Sequence, residues 1–458
     1  MYRTRTWEDE RFTLSTLTRA LVLLGFIIGI LLLVGCQPPQ PTSNQTVGNT
    51  NVNTNSTAAA NTNQSSPAAD PGAARVPITL PVVDALLADE EFVTELKRSV
   101  QPTDEQFDKL KNVSRDAVVK LGEDAGEDDA RSTRSSSADA EKQVKQILGN
   151  ESGDKFMALA RKYWSGGDMT INAKPNSVPT DTRIVVNAPA YRMDVFRDGQ
   201  VVKSYKVGIG YPEFPLPVGV RSAKSIIFNP TWTPPDEPWV KGEFAPGKTV
   251  EAGSKKNPLG FLKIPIGLPS LIHGGKDPSR LGTFASHGCV GLTNPLAQEF
   301  ATQLASLSET QLSPEQIKGY EKQRSETKEV QLGRPVPVEL RYETIVVEDG
   351  KLRILRDVYE HGTNTEENLN RVLEVYGVSM ASFSPEEQTQ IREALKKMAV
   401  DPQGNPVEES ESNNNNTDKK KPSTSSRVTR NIKGAKEVVI EIAALRGKGY
   451  PAPVNINS

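Results

Sequence analysis

The chain has few of the residues that build large hydrophobic cores. Hydrophobic residues make up 36% and aromatic residues 6% of its 458 positions, while 34 glycines and 33 prolines interrupt it. The length suffices for a large core, but this composition predicts that much of the chain is linker or disordered. The formal net charge is only −2, so no overall field favours nucleic acid or an anionic membrane surface as a partner.

Long apolar runs are absent except at the N-terminus. Residues 20–35 (ALVLLGFIIGILLLVG) form one such run, and polar, proline-rich sequence follows Cys36. The run is shorter than the roughly 20 residues of a membrane-spanning helix, which favours a signal peptide over a short uncleaved anchor. Residues 33–36 (Leu-Val-Gly-Cys) resemble the lipobox of bacterial lipoproteins. This resemblance implies a lipoprotein signal peptide at 1–36, lipidation of Cys36 and attachment of the exported chain to a membrane.

Cysteine is nearly absent as well. The chain has two cysteines, Cys36 and Cys289, and three histidines. Exported proteins usually pair their thiols in disulfides. If Cys36 carries lipid, Cys289 has no partner within the chain, and an unpaired thiol of this kind is potentially reactive.

Hydrophobic patterning divides the rest of the chain. Periodic apolar residues predict helices near 103–121 and 140–164, with a loop at 122–137 between them. Segments 103–106 (Thr-Asp-Glu-Gln) and 313–316 (Ser-Pro-Glu-Gln) have capping-box form and predict two helix starts. Short apolar segments between Pro- and Gly-rich loops, together with hairpin turns at Asp198-Gly199 and Asp349-Gly350, predict a mainly β sandwich with flanking helical segments. The predicted segments are a disordered tether at 37–75, a helical region without assigned chemistry at 76–170, the β domain at 182–310, an extension of helix, hairpin (from Val336 to Asp357) and helix at 311–400, disordered low-complexity sequence at 401–430, and a C-terminal strand and tail at 431–458.

Two of the three histidines lie close in sequence to Cys289. His273 precedes it by sixteen positions, and Ser286-His287-Gly288 comes directly before it. A free thiol is only a few per cent ionised at neutral pH, and a neighbouring imidazolium can lower its pKa by about two units. Gly288 lets the backbone turn sharply and point its N–H groups at one place, as an oxyanion hole requires. This pattern predicts that Cys289 attacks, His273 shuttles the proton and His287 orients the turn.

Three other interpretations compete with nucleophilic chemistry. From composition alone, a single cysteine near a histidine is more often structural than catalytic. His273, His287 and Cys289 could also bind zinc, although zinc ligands usually lie two to four residues apart and no further cysteine or nearby carboxylate completes the set. His361, the last histidine, follows a hairpin and is predicted to be a solvated loop residue.

These residues resemble the catalytic signature of one enzyme family. Segment 272–274 (Ile-His-Gly), a loop, and then 286–290 (Ser-His-Gly-Cys-Val) are similar to the signature of the L,D-transpeptidase (YkuD-type) catalytic domain. Segments 229–232 (Asn-Pro-Thr-Trp), with Pro234, and 257–260 (Asn-Pro-Leu-Gly) are similar to stretches before its histidine. The resemblance covers roughly residues 182–360, including the second hairpin. A string this specific outweighs the composition argument for a structural cysteine.

The resemblance implies a function as well as a fold. Cys289 would lie in a cleft of a mostly β sandwich, attack the diaminopimelate carbonyl of a peptidoglycan tetrapeptide stem and release D-Ala. Transfer of the acyl group to a second diaminopimelate amine would make a 3→3 cross-link in the cell wall, whereas water as acceptor would make a carboxypeptidase. No metal or organic cofactor is required. A lipoprotein that only binds peptidoglycan is the rival prediction.

The sequence departs from the family pattern at two places. Many members carry Arg, and some Asn, two positions after the cysteine, where this chain has Gly291, and the change affects recognition of a substrate carboxylate. The usual Thr-Pro-x-Gly-x-Phe stretch is replaced by residues 214–221 (FPLPVGVR), in which Arg221 is a candidate for the missing substrate-binding charge.

The residue after Cys36 bears on the location of the protein. Gln37 stands where Asp is the usual inner-membrane retention signal, which implies a periplasmic, outer-membrane address in a Gram-negative cell.

Overall fold

The computed structural model describes residues 76–121, 132–165, 174–232, 249–267, 270–401, 404 and 432–456. The predicted signal peptide with Cys36, the predicted tether, Pro234 and nearly all of the predicted low-complexity segment lie outside these residues. Within the described ranges, no helix is both long enough and apolar enough to cross a bilayer.

Five helices form the first part of the described chain. They are α1 (Leu80–Leu87), α2 (Glu90–Ser99), α3 (Asp104–Leu121), α4 (Thr133–Leu148) and α5 (Asn150–Trp164). A capping box precedes α3, as the sequence predicts: Thr103 N–H donates to Gln106 Oε1 at 3.0 Å, and Gln106 N–H donates to Thr103 Oγ1 at 3.2 Å. The apolar faces share one buried core, the helical bundle core, which includes Phe92, Leu96, Leu110, Val144, Phe156 and Trp164.

The predicted single helix from 140 to 164 is wrong in two respects. Helix α4 begins earlier, at Thr133, where the Ser132 hydroxyl accepts a hydrogen bond from Ser135 N–H at 3.0 Å. Gly149, with a φ of 83°, then separates α4 from α5. The serine-rich stretch that looked like a loop instead contains a helix N-cap, a position that serine favours.

One large sheet organises the second part. Its strands are β1 (Arg183–Asn187), β2 (Arg192–Arg197), β3 (Gln200–Lys206), β5 (Gly219–Phe228), β6 (Leu262–Pro265), β7 (Leu271–His273), β9 (Val290–Gly291) and β10 (Lys328–Arg341), whereas β4 (Ile209–Gly210) pairs separately with β8 (Phe284–Ser286). The order across the large sheet is β3-β2-β1-β10-β5-β6-β7-β9, which leaves β9 at one edge. The predicted fold class, mainly β with flanking helical segments, is confirmed.

Strand β10 lies in the middle of this sheet. It pairs in parallel with β1 and antiparallel with β5, where Val336 lies opposite Ala223. The predicted end of the β domain at residue 310 is therefore wrong, and so is the start of the second hairpin at Val336. Pairing between strands that are distant in sequence leaves no local pattern, so this strand looked like part of the next hairpin.

Helix α6 follows β9 in the chain and packs against β6 and β10. It spans Asn294–Leu307 and is capped by the Thr293 hydroxyl, with proline in its first turn. Phe300 and Leu304 are fully buried in the main core with the strands, and the Phe300 ring meets that of Tyr205 edge-on at 5.7 Å between centroids. Helix α7 (Pro314–Lys322) follows and carries the predicted capping box.

A smaller sheet and two helices form the C-terminal extension. The elements are β11 (Ile345–Glu348), β12 (Lys351–Leu355), α8 (Glu366–Val375), α9 (Pro385–Met398) and β13 (Glu437–Glu441). The hairpin turn at Asp349 and Gly350 is confirmed, with φ of 47° and 76°. The predicted late strand pairs antiparallel with β12. Both helices pack on this sheet through a separate buried core.

Residues 210–216, between β4 and β5, form a loop of the β domain that contacts the helical bundle. We call this segment the bracing loop. The Thr79 hydroxyl at the N-cap of α1 donates to the Glu213 carbonyl at 2.8 Å. The side chain of Phe214 packs against the apolar end of α3. The bundle therefore holds the bracing loop from one side.

A second contact holds the bracing loop from the extension. The Tyr359 hydroxyl donates to the Gly210 carbonyl at 2.9 Å and accepts from Leu216 N–H at 3.2 Å. The adjacent Glu360 carboxylate accepts from the first two N–H groups of α4, at 2.9 and 3.3 Å. Burial raises the pKa of Glu360, and these two backbone hydrogen bonds act in the opposite direction.

We expect Glu360→Ala to lower the free energy of unfolding by about 1–3 kcal/mol, because it leaves two N–H groups at the start of α4 without an acceptor. Glu360→Gln keeps a carbonyl acceptor and should retain most of the stability. Glu366→Ala, which removes an exposed ion pair with Arg392, is the matched control and should change stability by less than about 0.5 kcal/mol. Urea unfolding measures all three. Equal midpoints for the two alanine variants would contradict this account.

Candidate active site

Two short strands at the edge of the sheet carry the predicted histidine and thiol. Strand β7 ends at His273, and β9 begins directly after Cys289. They pair in parallel, with Ile272 beside Val290 and His273 beside Gly291. Ile272 and Val290 belong to the main core. Because side chains alternate along a strand, His273 and Gly291 lie on the opposite face. Cys289 directly precedes Val290, so the same alternation places Cys289 on the face of His273.

Hydrogen bonds fix the turn from Ser286 to Cys289. The Ser286 hydroxyl donates to the Cys289 carbonyl at 2.6 Å and accepts from the Cys289 N–H at 2.9 Å. The Ser270 hydroxyl donates to the Gly288 carbonyl at 2.8 Å. Gly288 has a φ of 90°, a conformation that glycine adopts at little cost. Gly288 therefore makes a sharp turn, and Ser286 locks its two ends together.

The same hydrogen bonds correct the expected oxyanion site. The Cys289 N–H is engaged by Ser286, so it is not available to a developing negative charge. The Gly288 N–H makes no hydrogen bond within the part of the chain that the structure describes. It is the candidate donor that remains at this turn.

The imidazole of His273 has a defined tautomer. Its Nδ1 lies 2.7 Å from the Gly274 carbonyl oxygen. A carbonyl can only accept, so Nδ1 carries the proton and Nε2 is the basic nitrogen when the ring is neutral. The side chain is 3% exposed. Burial, with a further contribution from the Lys276 charge, lowers the pKa of His273 to about 3.

Burial also acts on Cys289, in the opposite direction. The residue is half-buried and forms no disulfide. Burial raises the pKa of its thiol, while a hydrogen bond from the Leu271 backbone and the charge of Lys276 partly oppose that effect. Thiol and imidazole are therefore both neutral at pH 7. The predicted imidazolium, which was to lower the thiol pKa, does not form in this resting state.

The ring of His287 packs between two aromatic rings of the bracing loop. Its centroid lies 5.1 Å from that of Tyr211 and 4.9 Å from that of Phe214, and both pairs meet edge to face. The carbonyl of Phe214 also lies beneath the glycine turn, 3.9 Å from where a Cβ of Gly288 would be. His287 thus connects the turn to the bracing loop, and its orienting role stays a prediction.

Two other predicted residues make contacts of their own. His361 is not a solvated loop residue: it is 7% exposed, and its ring stacks on Tyr342 with centroids 3.8 Å apart. Its position after a turn gave no hint of that aromatic partner. Arg221 lies at the start of β5, where its Nη1 is 3.5 Å from the site of a Cβ on Gly267. Its role in binding a substrate carboxylate stays a prediction, and the cation whose charge acts on Cys289 is Lys276.

Three residues near the turn were missed by sequence reasoning. They are Ser270, Lys276 and Asn294. Asn294 Oδ1 accepts from the N–H groups of Phe261 and Gly275, at 2.9 Å each, and so ties the segment after His273 to the start of α6. Asn294 stands five positions after Cys289, and its position before a proline at a helix start was the available signal.

The described residues contain no group of three or more His, Cys, Asp or Glu side chains placed to hold a metal ion. The arrangement instead joins a neutral base, a neutral thiol and a candidate backbone donor on one face of the sheet edge. Such a set can transfer an acyl group through a covalent thioester.

Comparison with protein families identifies the β domain. Residues 181–338 match the model of the L,D-transpeptidase catalytic domain (YkuD). The family predicted from the sequence is confirmed for these residues, which run from β1 into β10. No curated protein sequence is significantly similar to the chain.

Solved structures with local similarity are L,D-transpeptidases. An avibactam carbamoyl enzyme is 19% identical, with 35% of this chain and 49% of that chain covered and a TM-score of 0.23. The catalytic domain of the E. faecium L,D-transpeptidase is 20% identical (36% and 100% covered, TM-score 0.22), and the Mycobacterium smegmatis L,D-transpeptidase is 17% identical (35% and 58% covered, TM-score 0.21). The chain thus spans about half the length of two of these three.

Gly288→Ala should lower the free energy of unfolding by about 1–2 kcal/mol, because its left-handed backbone disfavours a Cβ although the space around it is open. It should also slow alkylation of Cys289 by iodoacetamide, since the turn that presents the thiol relaxes. Gly319→Ala is the matched control: it lies inside α7 with open space around it and should be neutral or stabilising. Urea unfolding and alkylation rates that do not differ between the two variants would refute the role given to this turn.

Stability should depend on pH through His273. The unfolded imidazole binds its proton near pH 6.5, whereas the folded one has a pKa of about 3. The unfolded state therefore binds more protons between these values, and folding weakens as pH falls below about 6.5. His273→Gln removes this contribution, so the stability of wild type relative to the variant should drop by about 1.4 kcal/mol per pH unit from pH 6 to 4.5. A constant difference in urea unfolding would show that the imidazole titrates normally.

Proposed function

We propose that this protein is a cysteine-dependent peptidoglycan L,D-transpeptidase. Cys289 is the nucleophile, His273 moves the proton, and the substrate is a tetrapeptide stem that is cleaved between diaminopimelate and D-Ala. The observation that carries the proposal is the turn that Ser286 fixes at Cys289, directly before a strand that pairs with the one ending at neutral His273, inside a matched L,D-transpeptidase domain.

The chemistry begins with two neutral groups. His273 Nε2 takes the thiol proton while Sγ bonds to the diaminopimelate carbonyl carbon, and the carbonyl electron pair moves to oxygen. The Gly288 N–H is the donor for that oxyanion. When the carbonyl re-forms, the bond to D-Ala breaks and the imidazolium returns its proton to the leaving amine. A thioester on Cys289 remains.

The second half of the reaction reverses these roles. The side-chain amine of another diaminopimelate attacks the thioester, and neutral His273 accepts its proton. The bond between carbon and Sγ breaks, and the thiolate regains a proton from the imidazolium. The product is a 3→3 cross-link. A base with a low pKa suits this step because it is unprotonated and ready to accept at neutral pH.

We also propose that the enzyme acts as an exported lipoprotein. Cys36 would carry the lipid, and Gln37 would direct it to the outer membrane of a Gram-negative cell. A tether of residues 37–75 would span roughly 30–40 Å as a random coil, a reach that suits work on a nearby wall. Globomycin, which blocks processing of lipoprotein signal peptides, should leave an unprocessed precursor. Unchanged processing would rule out the anchor.

Activity is tested with purified full-length protein and a disaccharide-tetrapeptide muropeptide. Wild type should release D-Ala and form a 3→3 linked dimer that mass spectrometry detects. Cys289→Ala should reduce both by about 10³-fold or more, and His273→Gln by about 10²–10⁴-fold. Cys36→Ser, which changes only the predicted lipid site, should retain both.

The acceptor and the rival functions are separated by the products of the same assay. D-Ala release without dimer would replace the transpeptidase with a carboxypeptidase that uses water. Stoichiometric binding of muropeptide without D-Ala release, unaffected by Cys289→Ala, would show a peptidoglycan-binding lipoprotein and contradict the enzyme.

A further inference from the structure

The space beside Gly291 is filled by the side chain of Lys276. A Cβ built on Gly291 would lie 2.7 Å from Cγ and 2.8 Å from Cε of Lys276. The lysine stem therefore crosses the glycine at van der Waals contact. Gly291 is not in the left-handed region, so the backbone would tolerate a side chain here. The glycine leaves room for the lysine.

The backbone of Lys276 is held firmly in place. Its N–H donates to the Leu292 carbonyl at 3.0 Å, and Leu292 N–H donates to the His273 carbonyl at 2.8 Å. Lys276 is thus tied to the strand that follows Cys289 and to the one that ends at His273. A side chain that starts from this point and crosses Gly291 stays on the face that carries the thiol and the imidazole.

No carboxylate neutralises this lysine within the described ranges. None of the ion pairs found there includes Lys276. The neighbouring Asp277 is directed to Ser279, from whose N–H and hydroxyl it accepts at 2.9 and 2.7 Å. Arg280, whose charge acts on Lys276, donates to the Tyr211 hydroxyl and the Phe284 carbonyl. The charges of Lys276 and Cys289 act on each other.

Electrostatics agrees with this placement. Burial lowers the pKa of Lys276, with Cys289 opposing that effect and Arg280 adding to it. The Lys276 charge in turn lowers the pKa of the Cys289 thiol and of the His273 imidazole. Lys276 is half-buried, so water screens its charge less than that of a fully exposed lysine.

We infer that Lys276 is a positioning residue of this site: its stem crosses Gly291, and its ammonium is the fixed positive charge that stabilises the Cys289 thiolate as it forms and adds to the effect of burial in keeping the His273 imidazole unprotonated. The inference rests on the proposed function for its catalytic meaning. Many family members carry Arg at the position of Gly291. In this chain a positive charge comes instead from Lys276, fifteen positions earlier.

The test measures the thiol without any peptidoglycan. Alkylation of Cys289 by iodoacetamide is followed against pH in the full-length chain with Cys36→Ser. Lys276→Met should raise the midpoint by about one pH unit, as loss of a nearby opposite charge does, so that about tenfold less thiolate is present at pH 7. Lys276→Arg should keep the wild-type midpoint. Lys224→Met, on the exposed face of β5, is the matched control and should also keep it.

A second readout separates charge from structure. Loss of the Lys276 charge should raise the NMR-measured pKa of His273 as well, whereas general loosening of the site would raise exposure and move the thiol pKa down toward its free value. The double variant Lys276→Ala with Gly291→Arg returns a cation from the neighbouring strand and should restore the midpoint.

Two results would overturn the inference. One is a Lys276→Met midpoint equal to those of wild type and Lys224→Met. The other is a raised midpoint that Lys276→Arg shares. Neither depends on turnover: wild type that releases no D-Ala, but shows the expected alkylation shift, would refute the proposed function and leave the role of Lys276 standing.

Discussion

Burial of a thiol and an imidazole on the same face of one sheet edge is the constraint from which the rest of the site follows. Removal from water disfavours the charged form of each group, so burial raises the pKa of Cys289 and lowers that of His273. The pair rests as thiol and neutral base. Charge then develops only as the proton moves during attack, and groups that are already in place must stabilise it.

Those groups are held by the surrounding fold. Ser286 and Ser270 fix the glycine turn through hydrogen bonds to backbone atoms, and the His287 ring fastens it to the bracing loop at 210–216. That loop is held in turn by the helical bundle and by Tyr359 of the C-terminal extension. The flanking parts of the chain thereby acquire a role at the site: they position the turn that carries Cys289.

The sequence predicted what is local, and it missed what depends on distant pairing. The string from Ser286 to Val290, the turn at Asp349-Gly350 and the capping box at Thr103 are encoded within a few residues, and each is found as expected. Strand β10 and the neighbours of His361 depend on contacts across the chain. The placement of the Lys276 side chain over Gly291 also depends on such contacts, because the sequence does not indicate which side chain fills the space beside a glycine.

The neutral resting pair is tested most directly by the S–H stretching band in the infrared spectrum at pH 7. A difference spectrum between wild type and Cys289→Ala isolates this one thiol, since Cys36 is common to both chains. The account predicts a clear S–H band from Cys289 that persists until the pH exceeds the ordinary range for cysteine. Absence of the band at pH 7 would mean a resting thiolate, stabilised by a charged imidazole, and would contradict the account.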